Sequence, residues 1–120
     1  MTQHSNPDPT NLYTYRAQLV RVIDGDTYAL AIDLGFDVTI TRHIRLAAID
    51  CPERGTAAGL QTTIAAARWF AQANGEVVIQ SKHYDRYGRT IATVTNPTAA
   101  EPDLAAYLLK QGCHKWTGRK

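Results

Sequence analysis

Three apolar segments separated by turn-forming residues place the strongest constraint on how this chain can fold. The first segment, residues 19–23, ends at Asp24-Gly25, a dipeptide that favours a tight hairpin. Apolar residues then occupy every second position of residues 28–34, and again of residues 38–48 beyond the turn at 35–37, where Arg42 is the one interruption. A period of two predicts half-buried strands. We therefore expect an antiparallel three-stranded meander, with Arg45 on the polar face of its third strand.

A helix and two further strands are predicted after the meander. Pro52 ends the third strand, because proline cannot donate to a strand ladder. The next segment has apolar residues at helical spacing and a stop at Asn74-Gly75. Residues 76–80 and 90–95 are the predicted fourth and fifth strands. The residues expected on the apolar face of the helix are Leu60, Ile64, Ala67 and Ala71.

A short C-terminal helix completes the predicted order of elements. Pro102 can open this helix at its first position, Leu104 and Leu108 supply its apolar face, and Gly112 ends it. Three strands, a helix, two strands and a helix favour a mainly β, α+β fold. A partly open, five-stranded Greek-key barrel is the natural closure, with the larger helix between strands 3 and 4.

Length and composition predict one globular domain. The chain has 120 residues, of which 44% are hydrophobic and 20% charged. We expect a polar N-terminal arm at residues 1–11, the domain at 12–116 and a basic tail at 117–120. The segment 1–9 has no apolar signal region, so the expected location is the cytoplasm, with no membrane association. Two cysteines exclude a disulfide-dense scaffold and a four-cysteine zinc site.

Charge is distributed unevenly along the chain. Residues 1–53 hold seven acidic and four basic side chains, whereas residues 54–120 hold four acidic and nine basic ones. Lys110, Lys115, Arg119 and Lys120 follow the last acidic residue, Asp103. A basic tail suits a polyanion such as nucleic acid, although solvation of a terminal helix explains it equally well.

Three short motifs carry residues suited to chemistry on phosphates. Asp24 and Asp26 flank a tight turn and could offer oxygen ligands to a hard cation, although Asp-Gly is also a routine hairpin turn. Arg45, Asp50 and Glu53 surround a rigid corner, where one carboxylate could bind metal and another could activate water. A surface salt-bridge cluster is the alternative interpretation of this second group.

The third motif is YDRYGR at residues 84–89. Its arginines could bind phosphate oxygens, and its tyrosines could stack on a base or a sugar. The alternative is a solvated loop whose tyrosines pack on the barrel. Tyr84, Arg86 and Tyr87 are therefore candidate substrate-binding residues.

Taken together, the motifs resemble the staphylococcal nuclease (thermonuclease) family. The matching stretches lie within residues 17–115 and are VIDGDTYAL at 22–30, IRLAAIDCPE at 44–53, YDRYGRTIATV at 84–94 and LAAYLLKQG at 104–112. The resemblance implies an OB-fold and a calcium-dependent, monomeric nuclease. Such an enzyme would hydrolyse phosphodiester bonds of DNA and/or RNA with little sequence specificity.

The resemblance also implies a role for each matching residue. Asp26, Asp50 and the backbone carbonyl of Cys51 would be calcium ligands. Glu53 would position or activate the attacking water, and Arg45 and Arg89 would bind the phosphate and stabilise its developing charge.

The chain departs from the family pattern in two places. Cys51 stands where threonine is usual, which should be tolerated because the implied ligand there is a main-chain oxygen. The chain also stops soon after Gly112, which affects substrate contacts. Trp116 and Lys115 are the candidates for supplying a stacking face and a phosphate contact instead. The alternative function is a catalytically silent OB-fold module that binds nucleic acid or a protein partner.

Overall fold

The computed structural model describes residues 12–84 and 90–116, and the predicted arm, tail and residues 85–89 lie outside these ranges. Strands and helices within them follow the predicted order, with two additional short strands. The elements are β1 (Thr14–Asp24), β2 (Thr27–Asp33), β3 (Thr39–Leu46), β4 (Ile49–Asp50), α1 (Ala57–Ala71), β5 (Glu76–Tyr84), β6 (Thr90–Thr95), α2 (Leu104–Leu109) and β7 (His114–Lys115).

Five of the strands close into a barrel, in the order β1-β2-β3-β6-β5. Neighbouring strands are antiparallel except β3 and β6, whose parallel pairing joins Arg45 to Ile91. Strand β5 pairs with β1 and completes the ring. The prediction of a five-stranded barrel with a helix between its third and fourth strands is confirmed, and the barrel is closed where we expected it to be partly open.

The third strand is shorter than its apolar pattern predicted. Strand β3 ends at Leu46, and Ala48 adopts a left-handed backbone with φ of 74°. This turn breaks the ladder, so Ile49–Asp50 forms the separate strand β4, which pairs antiparallel with β7. Strand β5 is longer than expected and extends to Tyr84.

Helix α1 turns a different face to the core than its spacing predicted. Leu60 and Ile64 are 61% and 43% exposed, and Ala67 and Ala71 are also exposed. The buried residues of the helix are Gly59, Thr62, Ala65, Ala66, Trp69 and Phe70.

The two large aromatic residues explain the orientation of α1. Trp69 donates a 2.8 Å hydrogen bond to the carbonyl of Glu101, and Phe70 packs edge-on against Tyr28 with ring centroids 5.0 Å apart. Burying two aromatic rings removes more apolar surface from water than burying Leu60 and Ile64 would.

The short helix α2 begins later than predicted. Asp103 is its N-cap and accepts a hydrogen bond from the amide of Ala105 at 3.3 Å, so Pro102 precedes the helix instead of opening it. Leu104 and Leu108 are buried as expected. Gly112 follows the helix with a positive φ of 112°, in agreement with the predicted stop.

A disulfide joins Cys51, just before α1, to Cys113, just after α2. The two cysteines are 62 residues apart, and a crosslink that closes a loop of this length stabilises a fold by about 4 kcal/mol in the chain-entropy description. The count of two cysteines excluded a disulfide-rich scaffold but did not predict this bond. In the described ranges, neither helix is long and apolar enough to cross a membrane.

Candidate active site

Asp26 lies at the tip of the hairpin between β1 and β2, where Asp24 pairs with Thr27. The amide of Asp26 donates to the carboxylate of Asp24 at 3.1 Å, which folds the tip into a tight turn. A Cβ on Gly25 would lie 2.8 Å from Oγ1 of Thr62, so the tip packs closely against α1. This packing leaves Asp26 only 7% exposed.

Arg45 is buried, although the alternation of β3 predicted a polar, outward face for it. Its Nη1 donates to the carbonyls of Leu46 at 2.9 Å and Ile49 at 2.8 Å. Its Nη2 lies 3.0 Å from Oδ1 of Asp50 and 3.5 Å from Oδ2 of Asp26. The prediction that Arg45 faces solvent is therefore wrong, because the turn after β3 folds back over it.

The loop that follows β4 is tied directly to the first hairpin. The backbone amide of Cys51 donates a 2.8 Å hydrogen bond to Oδ2 of Asp26. The same carboxylate oxygen faces Nη2 of Arg45, which also holds Asp50. Asp26, Arg45, Asp50 and the backbone of Cys51 are thus brought together, as the motifs predicted.

Burial changes the acidity of Asp26. The pKa of its carboxyl is raised from 3.8 to about 6 in total, and removal from water is the largest of the causes. The neighbouring Asp24 raises the pKa further, whereas the guanidinium of Arg45 and the amide of Cys51 lower it. A buried carboxylate with a raised pKa gains more than an exposed one from a cation placed beside it.

Glu53 is held through its backbone, and its side chain is exposed. Its carbonyl accepts hydrogen bonds from the amide of Thr56 at 3.3 Å and the hydroxyl of Thr56 at 2.7 Å. Thr56 in turn caps α1 by accepting from the amide of Gly59 at 2.9 Å. The helix cap therefore fixes the corner from which the Glu53 side chain projects.

Trp116 lies over Arg45, with the guanidinium carbon 4.5 Å from the centroid of the indole ring. This distance is within the range of a cation–π contact. We expected Trp116 to offer a stacking face to substrate, and its described contact is with the arginine instead. Lys115 is exposed on β7, and Lys110 forms a surface ion pair with Glu101.

The third motif falls largely outside the described residues. Arg86, Tyr87 and Arg89 lie in the range 85–89, which the structure does not describe. Tyr84 is the last residue of β5, where its backbone pairs with Thr90. The candidate roles of these four residues stay predictions.

The donor set around Asp26 fits a hard cation with mixed ligands. Within residues 12–84 and 90–116, no three His, Cys, Asp or Glu side chains converge as a metal-binding group. The expected set has only two carboxylates, Asp26 and Asp50, and its third ligand is the main-chain oxygen of Cys51. These are oxygen ligands of the kind that calcium prefers. Both carboxylates lie within 3.5 Å of one guanidinium nitrogen of Arg45.

Comparison with known proteins identifies the family. The family model described as staphylococcal nuclease homologue matches residues 43–117, which is more than half of the chain. The chain belongs to the staphylococcal nuclease family. It is 39% identical over 87 residues to a micrococcal nuclease of Shigella flexneri, covering 69% of this chain and 44% of that protein. It is also 40% identical over 79 residues to the protein ParB of Escherichia coli, covering 66% and 41% respectively.

This member of the nuclease family spans less than half the length of the two curated relatives. The predicted membership of the staphylococcal nuclease family is confirmed by the family match, and the predicted OB-type barrel is confirmed by the strand order. Sequence reasoning missed two features beside the site: the Cys51–Cys113 disulfide and the stacking of Trp116 on Arg45. The presence of two cysteines, whose side chains had been given no role, was the signal that could have pointed to the disulfide.

Proposed function

We propose that this member of the nuclease family is a calcium-dependent phosphodiesterase that cleaves DNA and/or RNA with little sequence specificity. The observation that supports this proposal best is the convergence of Asp26 and Asp50 on one guanidinium nitrogen of Arg45, beside the backbone of Cys51. Phosphodiester hydrolysis needs a basic group for water and positive charge for the phosphoryl oxygens. This cluster and the adjacent Glu53 supply residues for both requirements.

Asp26, Asp50 and the carbonyl of Cys51 would hold the calcium ion. When bound, the ion would supply positive charge next to the phosphate and offset the repulsion between the two carboxylates. The burial of Asp26 supports this assignment, because a buried carboxylate is stabilised by a cation at its side.

Arg45 would bind a non-bridging oxygen of the phosphate. Its two hydrogen bonds to main-chain carbonyls fix the plane of the guanidinium before substrate arrives. A donor that is already oriented costs no reorganisation as negative charge develops, and such donors are commonly worth about 3–4 kcal/mol each. Arg89 would be the second phosphate-binding arginine.

Glu53 would accept the proton of the attacking water. Its exposed side chain projects from a corner that Thr56 fixes, three residues beyond Asp50. A positioned base of this kind contributes roughly 10²–10⁴ in rate. Tyr84, Arg86, Tyr87 and Lys115 would contact the rest of the nucleic acid, largely through its backbone.

The proposal is tested by incubating the purified protein with supercoiled plasmid DNA and with a single-stranded RNA. We expect cleavage with calcium, loss of cleavage in excess EGTA, recovery when calcium is restored, and no recovery with zinc. Cleavage that persists unchanged in EGTA would exclude the calcium role. Binding of nucleic acid without any cleavage in calcium would instead support the silent OB-fold module.

The disulfide bears on the expected cytoplasmic location. Structural disulfides form and persist in oxidising compartments and are rare in a reducing cytosol. The Cys51–Cys113 bond therefore favours an oxidising compartment over the cytoplasm. Mass measurement of alkylated protein taken directly from cells would show whether the two thiols are bonded there.

A further inference from the structure

We infer that Trp116 is a positioning residue for Arg45, and that residues 113–116 form a clasp that holds the indole ring in place. The inference rests on the proposed function for its kinetic consequence. In this inference the indole ring packs on Arg45 and holds it in place, whereas in the alternative the ring stacks on a nucleic-acid base.

The first support is the way in which Arg45 is enclosed. Its Nη1 donates to the carbonyl of Ile49 on β4, and its Nη2 donates to the carboxylate of Asp50 on the same strand. The indole of Trp116 covers it at 4.5 Å. With this cover, the side chain of Arg45 is only 5% exposed. A ring in this position restricts the guanidinium to one orientation.

The second support is that the clasp is bound to strand β4, which carries two of the arginine's other partners. Strand β7 pairs with β4 through Ile49–Lys115 and Asp50–His114. The amide of Trp116 then donates to the carbonyl of Ala48 at 2.9 Å. The strand that accepts a hydrogen bond from Arg45 and the strand that leads into Trp116 thus form one small two-stranded sheet. The indole ring and the carbonyl of Ile49 therefore keep a fixed separation.

The third support is the disulfide at the base of the clasp. Cys113 directly precedes β7, and its partner Cys51 directly follows β4, so the bond closes the end of the two-stranded sheet. The Nε1 of Trp116 is buried and has no hydrogen-bond partner within the described residues. The orientation of the ring is therefore set by the sheet and the disulfide rather than by a hydrogen bond of its own.

The kinetic test compares Trp116→Leu with Trp116→Phe. The free energy of a cation–π contact corresponds to a factor of about three to thirty. If the contact holds Arg45 in its active orientation, Trp116→Leu should lower kcat for DNA cleavage by about tenfold. Trp116→Phe keeps an aromatic face and should recover most of that loss. A ring that served only as a platform for a base would raise KM and leave kcat unchanged, which would overturn the inference.

A double-mutant cycle separates action through Arg45 from action on the substrate. In an Arg45→Lys background, Trp116→Leu should cause no further loss, because the group that the ring positions is already gone. In an Arg42→Lys background, Trp116→Leu should keep its full effect, since Arg42 lies on the same strand but is exposed. Additive losses in the Arg45→Lys background would overturn the inference.

Reduction of the disulfide provides an independent test of the clasp. A dithiol converts Cys51 and Cys113 to two thiols while it is itself oxidised to a disulfide. We expect this to lower cleavage by the parent protein severalfold. The same treatment should leave a Cys51→Ser/Cys113→Ser variant unchanged, which controls for effects of the reagent on calcium or substrate.

A spectroscopic readout keeps the inference testable if the proposed nuclease function fails. Guanidinium protons over an indole face resonate upfield, so the NMR signals of Arg45 should move downfield in Trp116→Leu and remain near their parental positions in Trp116→Phe. The signals of Arg42 serve as the internal reference. Absence of cleavage by the parent protein in calcium would refute the proposed function alone. Unchanged Arg45 signals in Trp116→Leu would refute the clasp.

Discussion

The carboxylate of Asp26 accepts a 2.8 Å hydrogen bond from the backbone amide of Cys51, and this bond joins the first hairpin of the barrel to the loop that leads into α1. The two partners are 25 residues apart in sequence. The bond brings together the two segments that supply the expected calcium ligands. It also places the disulfide next to a buried carboxyl.

The stability of the metal-free protein should depend on pH through Asp26. Its pKa is raised from 3.8 to about 6, so the folded state holds this proton more tightly than the unfolded chain does. The resulting contribution, up to about 3 kcal/mol, is fully present below about pH 4 and is lost as pH rises to about 6. Urea unfolding in EGTA between pH 4 and pH 8 would measure it.

Asp26→Asn should remove this part of the pH dependence, because the amide does not titrate. Asp37→Asn is the matched control, since Asp37 is exposed in the second hairpin and its left-handed φ of 61° suits asparagine. Parallel pH profiles for the parent protein and Asp26→Asn would contradict the prediction.

Arg45→Lys should slow cleavage at least tenfold in a protein that still folds. Lysine keeps the charge but cannot bond to two carbonyls and two carboxylates in one plane. Initial rates of plasmid nicking, with circular dichroism on the same samples, would measure the effect. Arg42→Lys on the same strand should retain the parental rate; equal rates for all three proteins would give Arg45 a role outside catalysis.

Glu53→Gln should reduce cleavage by roughly 10²–10⁴ while calcium and DNA binding stay near parental values. The substitution keeps the size of the side chain and removes its negative charge, and with it the capacity to accept the water proton. Nicking rates and binding isotherms would be measured on one preparation, with Glu76→Gln at the exposed start of β5 as the control. Loss of calcium binding along with rate would make Glu53 a ligand or a structural partner instead.

Gly59→Ala should destabilise the protein, although helix propensity alone predicts a gain of about 1 kcal/mol. A Cβ at this position would lie 1.9 Å from the carbonyl oxygen of Glu53. The backbone at the corner must move, at a cost of about 1–3 kcal/mol. The free energy of unfolding from urea titration decides the sign, and a more stable variant would show that the corner can move freely.

Local chemistry was sufficient to predict most of the barrel. The turns at Gly25 and Gly35 and the stop at Asn74-Gly75 depend on residues within a few positions of each other, and all are confirmed. The buried face of α1 was predicted wrongly, because Leu60 and Ile64 have the spacing of a buried helical face although they are exposed. Trp69 and Phe70 bury more apolar surface and rotate the helix, which spacing alone does not register.

The motifs also predicted which residues of the site meet, but not the surroundings of those residues. Asp26, Arg45 and Asp50 converge as their pattern indicated. The burial of Arg45 depends on Trp116, which lies far along the chain, and on a turn at Ala48 that no glycine or proline marks. Contacts of this kind are set by tertiary packing, and a pattern of neighbouring residues carries no information about them.

The parallel pairing of β3 with β6 has a consequence for the order in which the molecule assembles. Ile44, Arg45 and Leu46 pair with Thr90, Ile91 and Ala92 across an intervening segment that contains α1 and β5. Topologies dominated by such distant pairings fold in milliseconds to seconds rather than microseconds. We therefore expect secondary structure to appear well before the candidate site is complete during refolding, with the arginine among the last side chains to reach its native partners.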